Sequence, residues 1–414
     1  TRTQVGALTA TQISALDATQ AAGITTTQIG GLNAAQLRGL NATDIAELST
    51  TQIEALTATQ VGQLTNTSLA AFDVTQVGAL TTTQLRGVTT AQLAALTTTD
   101  INEFSATQIG ALTTAQLGAL SSTQLSVLTA DQTAGLTTTQ MTWLNGTQIR
   151  GFESTLITQF STTQLGALSA TQMASFSSTG LSALDADQVG SLTQSQIRGL
   201  TTTQLAGLDT TDLGELTSTH IAGLTRTQVV GLTATQVSAL DATQVAGLTA
   251  TSLQALTAAQ LGALTSDDVA ELSSTQISQL TAPQIGQLTE TAFSALSSTQ
   301  MAALSVTQIR GVTTTQIGAF TADDVAELTT THIALLSATQ LSAFTTTNVA
   351  ALSTTQLGAL SASQIGLLNA TNLSALDANQ IAALTSTQIG GLTTTQLRAL
   401  DTTDLAEVTA TQIG

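Results

Sequence analysis

The sequence predicts an all-α fold, an elongated solenoid of very short capped helices with one helix per eight residues. Three observations predict it: an octad that never breaks register, a helix-start signal inside each octad, and a pair of apolar positions three residues apart. The 414 residues divide into fifty-one complete octads, beginning with Thr1-Arg2-Thr3-Gln4-Val5-Gly6-Ala7-Leu8, with six residues, Thr409 to Gly414, left over. No insertion or deletion interrupts them, so residues 1–414 read as a single continuous repeat domain.

Each octad position has its own chemistry. Position 8 is always apolar, mostly Leu, with Phe at Phe72, Phe104, Phe152, Phe160, Phe176, Phe320 and Phe344. Position 5 is Ile, Leu, Val, Met or Phe except at Ala21 and Thr133. Position 1 is Thr, Ser, Asp or Asn everywhere except Glu153, and position 4 is usually Gln. Thr, Ser, Asp and Asn are the favoured helix N-caps. With the cap at position 1, Gln at position 4 is the third helical residue and closes a capping box. Position 8 of the preceding octad and position 5 then form a hydrophobic staple. Pro283, at position 3, falls in a first turn whose N–H groups lack helical partners anyway.

A helix that starts every eight residues must also stop every eight. One continuous helix fails, because its apolar stripe drifts by about 80° per octad, and the supercoil periods of seven and eleven are absent. Helices of one turn are unstable alone, so neighbours must hold them, as in a solenoid. Small residues at position 7 are expected to let adjacent backbones come close. A coil of two octads at a helix spacing of about 8–10 Å implies a rod roughly 200–260 Å long. The alternative is a β-solenoid, which Thr, Val and Ile favour. Positions 5 and 8 argue against it, because residues three apart cannot share a strand face.

Composition narrows the function. The net charge of −18 and the lack of Lys argue against nucleic-acid binding, which needs clustered basic residues. The same charge keeps a long array soluble. Without cysteine, no disulfide or thiolate metal site forms. No apolar run approaches a membrane span, and no signal peptide is evident. The chain begins without Met and in mid-array, as expected of a processed product or part of something longer.

A second period overlies the first. Asp recurs at position 1 in Asp17, Asp73, Asp185 and Asp241, separated by whole multiples of seven octads; Asp209, Asp377 and Asp401 fall off that lattice. Asp44, Asp100, Asp212, Asp268 and Asp324 at position 4 follow the same interval, and Leu156 fills the skipped place. Their octads carry Glu47, Glu103, Glu215, Glu271 and Glu327 at position 7, and Glu407 stands off the lattice. His220 and His332 lie twice that interval apart, as do Arg86, Arg198 and Arg310, and likewise Arg38 and Arg150. Tandem duplication of a 56-residue block explains this. A geometric reading adds that seven octads return the solenoid to one azimuth.

No catalytic, cofactor-binding or metal-binding residues are expected. The acidic units Thr43–Glu47 and Asp267–Glu271 place carboxylates where a helix dipole already favours them, and no known calcium-loop pattern accompanies them. His220 and His332 replace Gln at the capping position. Trp143 and the position-8 Phe residues are expected to fill the core. Catalysis needs convergent groups in a pocket, which a uniform array does not offer, so the protein is not expected to be an enzyme.

The unit from Leu352 to Leu360, and again from Leu392 to Leu400, resembles the octapeptide arrays of long, adhesin-like bacterial surface and secreted proteins. A local likeness of Leu224 to Leu232 to TAL-effector repeats is shared capping only. The resemblance implies an extracellular or cell-surface structural protein, a filament or stalk subunit. Its expected partner is itself, through stacking of open ends into a polymer, with no cofactor. The alternative is a spacer or binding module of an adhesin, or a Thr-rich scaffold for ice, a surface polymer or a glycan.

Overall fold

A computed structural model describes residues 1–400 and 402–413, apart from the side chains of residues 403, 404 and 413. Asp401, and the side chain of Asp404 that accompanies Glu407, lie outside the described residues. The described residues form 52 helices of four to six residues each and no strand. The all-helical solenoid is therefore the fold. The flat strand-borne Thr ladder of a β-solenoid has no strand to stand on among these residues.

The chain divides into two compact units, Thr1–Leu208 and Asp209–Gly414. Both follow one local rule. In the first, the helix Thr90–Ala95 starts at Thr89, whose extended backbone (φ −77°, ψ 157°) breaks the preceding turn. The Thr89 Oγ1 accepts from the Gln92 N–H at 3.2 Å, and the Gln92 Oε1 accepts from the Thr89 N–H at 2.7 Å. Val88 and Leu93, the two staple residues, are both buried. In the second unit, Thr281 caps Ala282–Ile285 in the same way, with Pro283 in the first turn. The helix-start grammar read from the sequence is thus the one the chain uses.

Helix termination differs from the usual device. No described residue, glycine included, has a positive φ, so no left-handed cap ends these helices. Instead the chain leaves through an extended position-8 residue, such as Leu96 at φ −64° and ψ 143°. A one-turn helix ended this way has carbonyls without helical partners.

Those carbonyls are met from the next coil. In the first unit, Gln84 Nε2 donates to the carbonyls of Ile53 and Leu56, each at 2.7 Å. In the second, Gln308 Nε2 donates to Ile277 and Leu280, each at 2.8 Å. The separations are 31 and 28 residues. Helices also pack on the third helix after them, as Ala106–Ala111 does on Ala130–Gly135 and Ser266–Glu271 on Glu290–Ser294. These contacts, with helix packing three octads on, put one coil at about three and a half octads. The coil is thus longer than the two octads on which the rod length is reckoned. Within each unit the 56-residue block is two coils. Residues on its lattice then fall at similar azimuths, an arrangement that suits the geometric reading of the long period as well as the ancestral one.

Close approach of backbones explains position 7. A Cβ on Gly135 stands 2.5 Å from the Ala106 carbonyl oxygen, and one on Gly151 2.5 Å from that of Ser122; Gly87 and Gly311 face Ala58 and Ala282 more tightly still. Helical Gly166 has nothing within 4 Å of its virtual Cβ. Gly135→Ala is expected to cost about 1–3 kcal/mol by overpacking. Gly166→Ala is expected to gain about 0.5–1 kcal/mol from helix propensity. Urea titration of both variants checks the opposite signs.

Position 7 is also where one expectation fails. Trp143 ends the helix Thr138–Trp143 and is 37% exposed. It does not fill the core, because position 7 lies at the coil's outer contact and not between positions 5 and 8. The position-8 Phe residues are buried as expected; Phe152 and Phe160 meet edge to face at 5.1 Å.

Candidate functional site: the glutamine ladder and its variants

The polar group repeated most often inside this fold is the position-4 side chain. Gln308 is 2% exposed, and its amide makes three hydrogen bonds. Its Oε1 accepts from the Ser305 N–H at 2.8 Å while its Nε2 serves two carbonyls of the preceding coil. One side chain thereby starts its own helix and finishes another. The ladder recurs through both units, for example at Gln116 onto Leu85 and Val88, and at Gln340 onto Ile309 and Val312.

Sequence reasoning assigns Gln only the first role. A signal for the second is present: Glu never occupies position 4. Glu and Gln serve a capping box about equally, but only Gln carries the amide donors that the carbonyls need.

Several variants at position 4 keep a donor, although Gly180 and Ala292 carry none. Asn348 and Asn372 donate to Phe320 and Phe344 at 2.7 and 2.6 Å. Ser68 donates to Leu40 at 2.6 Å. Asp cannot donate to those carbonyls; in three octads it instead accepts from a serine of the preceding coil, whereas Ala70 holds that place before Asp100. Ser14 Oγ donates to Asp44 at 2.6 Å, Ser238 to Asp268 at 2.5 Å, and Ser294 to Asp324. Each Asp still caps its helix, as Asp44 does by accepting from the Asn41 N–H at 2.8 Å. Leu156 neither caps nor donates. Its octad is the one with Glu153 at the cap and no side-chain cap bond, so both halves of the box are lost together.

The histidines are cap variants, as expected. His220 Nδ1 accepts from the Thr217 N–H at 3.2 Å. His332 Nδ1 accepts from the Thr329 N–H at 3.4 Å, and its Nε2 lies 3.1 Å from the Leu304 carbonyl, to which the neutral ring donates. Desolvation holds the His332 pKa below 6.5, although the Leu304 carbonyl opposes that shift. The unfolded chain therefore takes up the proton first. His332 supports folding above about pH 6.5, and that support is lost as the pH falls below it. His332→Gln is expected to remove this step, read as melting temperature against pH from about 7.5 to 5 for the two proteins.

The acidic units form clusters across coils. Burial raises the Glu103 pKa, and Asp100 and Asp73 raise it further. Glu271 is raised by burial and then by Asp268, Asp241 and Asp267. Both shifts oppose folding at neutral pH and relax as acidification protonates the carboxyls. Among the described residues, no three His, Asp or Glu side chains converge in a metal-binding arrangement.

Thr133 is a buried polar residue of another kind. It fills an apolar position 5, is 0% exposed, and its hydroxyl has no hydrogen-bond partner. Thr133→Val keeps the shape and removes the orphaned group. It is expected to stabilise by about 1–2 kcal/mol, measured by chemical denaturation.

Against this geometry, the ALTTAQ repeat model matches residues 30–66, 88–122, 109–146 and 293–330. The chain is a tandem-repeat protein. The six letters themselves occur at Ala111-Leu112-Thr113-Thr114-Ala115-Gln116. They span the position-8 corner, the N-cap Thr113 and the ladder residue Gln116 of the helix Thr114–Ala119. Each matched segment spans more than four octads and so repeats this corner, cap and ladder. No curated protein matches the chain. Among the described residues, no helix is long and apolar enough to cross a membrane.

Proposed function

We propose that this chain is a structural, non-enzymatic subunit of an extracellular bacterial filament or stalk, built by stacking coils within and between copies. The observation that carries the reading is the two-sidedness of the coil. One face presents glutamine amide donors, and the other presents the carbonyls of positions 5 and 8 that those amides bind. Gln316, for example, donates from one coil to Ile285 and Leu288 of the coil before it. Identical coils are therefore complementary, and a coil of one copy fits against the opposite face of another. Such head-to-tail contacts are heterologous and extend without closing.

Other features support a non-catalytic role. The position-4 histidines and aspartates, the groups best suited to chemistry, are engaged in capping and ladder bonds. The likeness of Leu352–Leu360 to bacterial surface arrays supports the location.

Electron microscopy of purified protein across a concentration series tests the reading. Fibres whose length grows with concentration while their width stays constant support it. Monomers of one fixed length at every concentration overturn it, and leave the spacer role within an adhesin.

A further inference from the structure

The 28-residue coil converts residue number into position around the solenoid. Dividing each number by 28 and keeping the remainder gives that position within each unit. In the unit Thr1–Leu208, Arg2, Arg86 and Arg198 share remainder 2, and Arg38 and Arg150 share remainder 10. Ten of its eleven carboxylates fall at remainders 13 to 19, with Glu54 the exception. In the unit Asp209–Gly414, Arg226 and Arg310 have remainder 2 and Arg398 remainder 6. Its described carboxylates again fall at 13 to 19, apart from Glu290. The two bands do not overlap, and their centres lie close to half a coil apart. Each unit has an arginine edge and a carboxylate edge on different sides.

All eight arginines are exposed. The arginine edge also carries large exposed apolar side chains: Trp143 (37% exposed) in the first unit, and Val230 (46%) and Leu367 (42%) in the second. Arg, Trp and exposed aliphatic groups together are the composition of a protein interface. The spacings along the stack are commensurate. The acidic clusters repeat every two coils, and Arg86 and Arg198 stand four coils apart.

We propose that these edges pair between copies, the arginine edge of a unit in one chain docking side by side on the carboxylate edge of a unit in a second copy. The partner is fixed by complementarity. Like edges repel, whereas a neighbour in the same orientation presents Arg to carboxylate along the stack. The contact is heterologous and leaves both outer edges open, so it builds lateral arrays. Each exposed pair contributes little, so association needs many pairs and weakens with salt. The inference rests on the structural role proposed above and adds the lateral contact to it.

The test uses the full chain and two variants. R86E/R198E/R310E cuts the positive charge of the arginine edge and places Glu along it. D131R/D187R/D267R/D323R cuts the negative charge of the carboxylate edge and places Arg along it, at residues that cap no helix. Circular dichroism melts confirm that both fold. Sedimentation velocity is run at about 50 and 500 mM salt, with and without EDTA.

The wild type is expected to associate at low salt, to dissociate at high salt and to ignore EDTA. Each variant alone should associate about tenfold more weakly or worse, and mixing the two should restore association. A wild type that stays laterally monomeric at both salts overturns the proposal. So does association that survives the arginine substitutions, or that EDTA abolishes, which assigns it to cation bridging. Micrographs separate the two readings: side-by-side pairing changes fibre width, and coil stacking changes fibre length.

Discussion

Gln308→Leu is expected to lower the stability of its coil by about 2–5 kcal/mol, because it leaves two buried carbonyls unpaired at about 1–3 kcal/mol each and removes the acceptor of a half-buried N–H. The substitution keeps the volume near that of Gln. The Ser305 N–H loses its acceptor, and the Ile277 and Leu280 carbonyls lose their donor. Gln308→Glu separates the two roles. It retains the cap acceptor, removes both donors and places a carboxylate against two carbonyl oxygens. Its loss is expected to equal or exceed that of Leu at pH 7, and to shrink in acid as the carboxyl is protonated and regains a donor. Because a solenoid opens locally, the readout is hydrogen exchange of the amides of residues 273–312. A loss below about 1 kcal/mol for both variants would show that the ladder merely accompanies the apolar packing.

The chemistry at Gln308 also marks how far the sequence can be read. The capping box is legible because Ser305 and Gln308 lie three residues apart, and local hydrogen bonds leave local patterns. The staple is legible for the same reason, since Leu304 and Ile309 flank the cap. The coil length is not legible. It depends on the angle at each extended position-8 corner, summed over several octads, and no residue type reports that angle. Glycines at position 7 suggest a close approach, but not that Gly135 meets Ala106, a whole coil earlier. Trp143 misleads because its size suggests burial, whereas its octad position puts it outside. The Ser14–Asp44 pair shows what is recoverable. Asp cannot replace the donor function of Gln, and Ser recurs at the same distance before Asp44, Asp212, Asp268 and Asp324, with Ala70 before Asp100 the exception. That covariation marks the coil-to-coil contact once the missing donor is noticed.

Three deletions in the first unit are expected to give three different outcomes, because the fold has two nested registers. Removing Ala119 alone leaves one octad a residue short. The helix Thr114–Ala119 and the corner at Leu120 then cannot both be kept. The coil is expected to give up the burial of Leu117 and Leu120, about 1.5–3 kcal/mol each, and the two bonds from Gln116. Protection from hydrogen exchange should be lost over roughly a coil on either side, with the rest of the unit intact. Removing the whole octad Thr113–Leu120 preserves every cap, staple and ladder residue. Stability per coil should change little, but everything downstream in the unit turns by two-sevenths of a coil. The carboxylate and arginine edges before and after the deletion then no longer align. Removing seven octads, Thr97–Phe152, takes out two coils and restores both registers. The octad deletion should therefore melt like the seven-octad deletion yet lose salt-dependent association, whereas the seven-octad deletion keeps it. Equal association of the two would mean that azimuth does not matter and that the 56-residue period is ancestry alone.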